Sequence, residues 1–170
     1  MARLVYRGLL ALYLVILTWL ILLKTSFSIS KLVASTHLRS LNLIPFGAPP
    51  MEHGHVNYYE MIFNCVVFIP FGLLMSVNFK KIGFISKLSI IMAYSLTVEI
   101  LQYVFAIGVT DITDVITNTT GGFIGLILYG ASNKFIKNEK LDRFVVSVGM
   151  ILLIVFVYIY STHFVRRLWK

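Results

Sequence analysis

Acidic side chains are scarce in this chain. Seven Asp and Glu stand against fifteen Lys and Arg in 170 residues, and all charged residues together make up 13%. Cysteine is rarer still: Cys65 alone rules out an intrachain disulfide and a thiolate metal cluster, and a small buried hydrophobe is its default reading. Of four prolines, three crowd together at Pro45, Pro49 and Pro50. No internal repeat or low-complexity tract is visible, so a transporter built from two inverted halves has no support in the pattern. What fills the chain is apolar: 58% hydrophobic residues and a mean hydropathy of +0.87. These residues come in long blocks rather than at amphipathic spacing, which sets aside a water-soluble enzyme, a nucleic-acid binder and a disordered tail. A single membrane domain over residues 1–170 is the expectation at this length.

A net charge of +8 would raise the question of nucleic acid in a soluble protein. Here Arg3, Arg7, Lys80, Lys81, Lys87, Lys134, Lys137, Lys140, Arg143, Arg166 and Arg167 flank apolar runs, so the bilayer is the partner this charge implies. Five blocks reach the ~20 residues needed to cross or come near it: about 8–23, 60–79, 88–107, 112–131 and 144–164. The first has the outline of a secretory signal, but it exceeds the usual core length, and Ser26-Phe27-Ser28 only weakly imitates a cleavage site. It reads as a signal-anchor. The expected fold is therefore an all-α integral membrane bundle of about five transmembrane helices, with a long outer loop over residues 25–56 after the first. Placing the N-terminus in the cytoplasm puts nine cations inside and six outside, which favours that orientation. The basic C-terminus is the discordant feature.

Ionisable residues inside spans are functional candidates, because each costs about 2.5–3.5 kcal/mol at the centre of a span unless partnered or wet. In the second block Asn57, Glu60 and Asn64 recur at helical spacing; in the third Glu99 and Gln102 share a face with Ser95 and Tyr103. In the fourth Asp111, Asp114, Asn118, Gly121 and Gly125 form one stripe. With alternating helix directions, these polar groups all fall in the middle or outer part of the membrane and can converge on one pocket. Gly121 and Gly125 form a GxxxG pair suited to close helix packing. The apolar segment Asn42-Leu43-Ile44-Pro45-Phe46 is expected to fold back on the helices as a lid or re-entrant element, with Arg39 as a cationic partner for the carboxylates.

Taken in order, Asn42-Leu43-Ile44-Pro45-Phe46, Asn64 with Phe68-Ile69-Pro70-Phe71-Gly72, Glu99 with Gln102, and Asp111-Ile112-Thr113-Asp114-Val115 with Asn118 and Gly121 resemble the VanZ-like family. The resemblance covers about residues 9–130, and the fifth block, about 144–164, lies beyond it. It implies a multi-spanning bacterial cell-membrane protein, in a family whose founding member is associated with resistance to the glycopeptide teicoplanin. Many relatives carry an Arg shortly before the first Asp of the last motif, where this chain has Gly108 and Val109.

Blander readings stand beside these. Glu99 and Gln102 also suit an interhelical hydrogen-bond pair, and Asp111 and Asp114 a helix N-cap complementing the dipole. Pro70 reads as a packing kink or a hinge. Trp19, Tyr58, Tyr59, Tyr158, Tyr160 and Trp169 fit interfacial belts. His53 and His55 lack a firm third metal ligand. A hard cation on Glu99, Asp111 and Asp114 is chemically allowed, but no metal and no cofactor is expected. The leading reading is a protein without evident catalysis whose outer polar pocket (Arg39, Asn42, Asn64, Glu99, Gln102, Asp111, Asp114, Asn118) binds a lipid headgroup, a cell-wall precursor or a glycopeptide, or alters drug access. The alternative is an enzyme or small transporter acting on a lipid-linked substrate through Glu99 and Asp114. The pocket has no nucleophile arrangement or zinc motif to support an enzyme, and a homodimer stays open.

Overall fold

The structure, a computed structural model, describes residues 2–23, 40–47, 51–52, 55–56, 58–106 and 109–168. Among them are five helices: α1 (Ala2–Leu23), α2 (Tyr59–Asn78), α3 (Phe84–Phe105), α4 (Ile112–Ser132) and α5 (Asn138–Leu168). Four short strands join them: β1 (Ser40–Asn42), β2 (Met51–Glu52), β3 (His55–Val56) and β4 (Val109–Asp111). Strands β2 and β3 pair antiparallel, whereas β1 and β4 pair parallel with Asn42 opposite Asp111. The β1–β4 pair is invisible to periodicity, because three residues are too few to show alternation.

Helix boundaries follow from local chemistry. Helix α3 stops at Ala106, whose left-handed backbone (φ 53°) lets its N–H reach the Gln102 and Tyr103 carbonyls. Helix α4 starts at Asp111, whose carboxylate accepts from the Thr113 N–H at 2.7 Å. Helix α2 continues unbroken through Pro70, which removes one N–H from the ladder. In the same turn, the Val67 carbonyl accepts a hydrogen bond from the Tyr13 hydroxyl of α1.

Helices α2 and α4 run parallel and form the most extensive helix contact. A Cβ on Gly121 would strike the Cys65 carbonyl, one on Gly125 the Ile69 carbonyl, and one on Gly72 the Gly122 carbonyl. The two backbones therefore touch, and only glycine permits that approach. Helix α3 returns the chain between them, with Ile91, Ser95, Val98, Glu99 and Gln102 buried. Helix α1 contributes Leu9, Leu10, Leu17 and Ile21 to the core, and α5 contributes Leu141, Val145 and Val146. Cys65 is half-buried rather than sequestered as its default reading has it.

Among the described residues, three helices are long and apolar enough to cross a membrane: Arg3–Leu22, Tyr59–Asn78 and Phe84–Phe105. The pattern of apolar blocks counts five such spans, so the finer count goes beyond these three. Helix α4 is made less apolar by its stripe of Thr, Asp, Asn and Gly. The bundle is polarised by charge. Arg3, Arg7, Lys80, Lys81, Lys87, Lys134, Lys137, Lys140 and Arg143 lie at the start of α1 and around the α2–α3 and α4–α5 turns. Contacts tie that end together: Asn78 donates to the Tyr6 carbonyl, and Lys80 pairs with Asp142. Glu60, Glu99, Asp111 and Asp114 lie toward the opposite end.

Candidate functional site

The polar residues of α2, α3 and α4 meet at that opposite end, where α2 begins, α3 finishes and α4 begins. Asn64, Ser95, Glu99, Gln102, Thr110, Thr113, Asp114 and Asn118 are all buried. Helical repeat explains their convergence. Ser95, Glu99 and Gln102 stack along one face of α3, and Asp114 and Asn118 along one face of α4. The parallel course of α2 brings Asn64 level with Asp114.

Three sets of contacts build the site. At the α2–α4 seam the Asn64 amide donates to Asp114 Oδ1 at 2.7 Å. At the α3–α4 seam the Asn118 amide donates to Ser95 Oγ at 2.9 Å. Across the strand pair, Asn42 donates to Asp111 Oδ2 at 3.0 Å, and the Asp111 N–H donates to Glu99 Oε2 at 3.2 Å. Thr110 Oγ1 donates to the Glu99 carbonyl at 3.1 Å, so β4 is fastened to α3 twice. Gln102 turns away from this group and donates to the Ile21 carbonyl of α1 at 3.1 Å. It thus caps the end of another helix rather than pairing with Glu99.

Asp111 serves two ends at once, since one oxygen caps α4 and the other holds Asn42 of β1. This is more than the N-cap alternative requires. Donor and acceptor accounting then describes what the site offers. The amide groups of Asn42, Asn64, Gln102 and Asn118 each donate within the protein. The buried amide oxygens of Asn64, Gln102 and Asn118 have no hydrogen-bond partner among the described residues. An orphaned acceptor of this kind costs about 1–3 kcal/mol, so the arrangement complements a group rich in N–H or O–H donors.

Arg39, Asn57 and His53 lie outside the described residues. The segment after Asn42 does reach α4, as Phe46 N–H donates to Thr113 Oγ1 at 3.0 Å. Its attachment runs through the backbone, however, and Leu41, Leu43, Ile44 and Phe46 turn their side chains outward. No group of three or more His, Cys, Asp or Glu residues able to hold a metal occurs among the described residues.

Two further polar clusters escaped the sequence reading. Thr18, Tyr94 and the Leu14 carbonyl form a hydrogen-bonded knot between α1 and α3. At the basic end, Asp142 accepts from the Tyr129 hydroxyl at 2.6 Å while pairing with Lys80. Asp142 sits four residues into α5 among charges, so spacing alone does not mark it as buried. Thr110 and Thr113 had a usable signal in the Thr-Asp-Ile-Thr-Asp run at residues 110–114.

Comparison with known proteins gives the chain a lineage. The profile of the VanZ/LLP1 family matches residues 10–137. Protein VanZ of Enterococcus faecium is 55% identical over 163 residues, covering 96% of each chain. No solved structure matches. With a family match over most of its length and a relative this similar from end to end, the chain belongs to the VanZ/LLP1 family.

Proposed function

We propose that this protein is a multi-pass bacterial cell-membrane protein. Its buried polar site faces the outer leaflet and binds an envelope component, lowering susceptibility to glycopeptides such as teicoplanin. Helices α4 and α5 complete five crossings, with the N-terminus in the cytoplasm. The excess of Lys and Arg at one end, nine against six at the other, supports that orientation, since cytoplasmic segments carry the cation excess. The polar end then lies outward.

The observation that carries the binding reading is the donor and acceptor balance around Asp114 and Glu99. A purely structural polar seam would consume its own acceptors, whereas three buried amide oxygens here have no hydrogen-bond partner among the described residues. A donor-rich group, such as an ammonium-bearing headgroup, a cell-wall precursor or the glycopeptide itself, meets that requirement. Likeness to the Enterococcus faecium protein gives the direction toward resistance.

Teicoplanin susceptibility in a sensitive Gram-positive host tests this. Wild type, Glu99→Gln and Asp114→Asn are compared at matched membrane abundance. Wild type is expected to raise tolerance and both substitutions to abolish it. Unchanged susceptibility with wild type would separate the fold from the function and refute the reading.

A further inference from the structure

We propose that the turn Leu43–Gly47 is a lipid-facing wedge that inserts into the apolar region of the leaflet on the polar-site side. The inference rests on the reading that the helices span a bilayer, and it is independent of antibiotic response.

Depth comes first. The turn follows β1, whose Asn42 is paired with Asp111 of β4, and the Asp111 N–H is bonded to Glu99. The turn is therefore level with the last two turns of α3, a helix apolar enough to cross a membrane, and with the first turn of α4. At that level Ile100, Tyr103, Val104 and Phe105 of α3 also point outward. The turn extends an apolar surface already present on the helices.

Its apolar side chains are largely exposed. Leu43 is 66% exposed, Ile44 68% and Phe46 52%. Phe46 also holds a left-handed backbone (φ 56°), which a glycine would adopt without strain. Keeping a strained phenylalanine that packs on little of its own chain calls for an external apolar partner.

The backbone suits an apolar surrounding. Non-helical chain in an apolar medium must satisfy its own N–H and C=O groups, and an orphaned N–H is the rarer and costlier of the two. Every N–H from Ile44 to Gly47 is satisfied: Ile44 donates to Asn42 Oδ1 at 3.1 Å, Phe46 to Thr113 Oγ1 at 3.0 Å, and Gly47 to the Ile44 carbonyl at 3.0 Å, while Pro45 has none to satisfy. The wedge would hold the half-buried Asn42–Asp111 mouth of the polar site at headgroup level, so that a ligand enters from the leaflet rather than from bulk solution.

The test uses the full chain in proteoliposomes, on a Cys65→Ala background, with an environment-sensitive fluorophore on Ile44→Cys. Ile100→Cys on α3 and Lys137→Cys in the α4–α5 turn serve as lipid and water references, and Leu43→Cys repeats the reading should Ile44→Cys fold poorly. The expected result is a blue-shifted probe at Ile44, quenched by acyl-chain spin labels as strongly as at Ile100 and protected from aqueous iodide. Iodide quenching equal to that at Lys137 would overturn the wedge. So would emission that responds only to diluting the protein in lipid, which would mark contact with a second copy. An iodide-accessible Ile100 probe would remove the membrane reading, and the wedge with it, whereas loss of only the antibiotic phenotype would leave the wedge standing.

Discussion

Asn64 of α2 donates a 2.7 Å hydrogen bond to Asp114 of α4, and both side chains are buried. It lies at the polar end of the same seam that Gly121 and Gly125 hold closed by backbone contact. Helix pairing and the candidate site are thus one construction, and a change at either member acts on both.

Replacing Asn64 by Leu is expected to destabilise the protein by about 1–2 kcal/mol, between the average for interhelical hydrogen bonds and the value for one to a charged acceptor. The double variant with Asp114→Leu should cost less than the sum of the two singles. Unfolding in a mild detergent measures both, and additive costs would contradict the pairing.

At Gly121 an added methyl group meets the Cys65 backbone, which cannot move aside as a side chain can. Gly121→Ala is expected to cost about 1–3 kcal/mol, as overpacked cores do. Gly130 on the same helix faces open space. Gly130→Ala should be neutral or stabilising by up to about 1 kcal/mol through helix propensity. Melting temperatures of the two variants should therefore move in opposite directions or only the first should move.

The αL position of Ala106 makes a different prediction, since its Cβ pays a steric cost that glycine avoids. Ala106→Gly is expected to stabilise by about 1 kcal/mol, and Ala106→Val to destabilise. Thermal unfolding reads both, and a loss of stability with glycine would refute the C-cap role.

At the basic end, Tyr129→Phe removes one of the two groups holding the buried Asp142 carboxylate. A cost of about 1–3 kcal/mol is expected for the acceptor so exposed. Lys80 is partly exposed, so Lys80→Met should cost less, about 1 kcal/mol or below. Equal stability of Tyr129→Phe and wild type would dissolve the proposed lock between α4 and α5.

The order and type of the helices were legible because burial in lipid or core demands long apolar blocks, and such blocks fix helix lengths with little help from context. The face shared by Asp114, Asn118, Gly121 and Gly125 was legible for the same reason, as a helical repeat needs only spacing. Partners were another matter. That Asn64 meets Asp114, that Gln102 reaches α1 instead of Glu99, and that Gly121 lies on Cys65 depend on how the helices are set against one another. Spacing within a helix says nothing about rotation between helices.

The strand pair makes the division clearest. Nothing in Ser40-Leu41-Asn42 or Val109-Thr110-Asp111 marks a strand, yet the two pair in parallel across 69 residues at the Asn42–Asp111 contact. By itself the sequence determined an apolar, positively biased chain of helices with Asn64, Glu99, Gln102, Asp111, Asp114 and Asn118 toward one end. Only the tertiary structure decided which of those residues face one another, which acceptors remain open, and that the apolar turn after Asn42 is tied down by its backbone while its side chains point away. The reason is physical: hydrophobic burial is a property of composition and period, whereas a hydrogen bond needs two groups within about 3 Å, and that distance is set by packing alone.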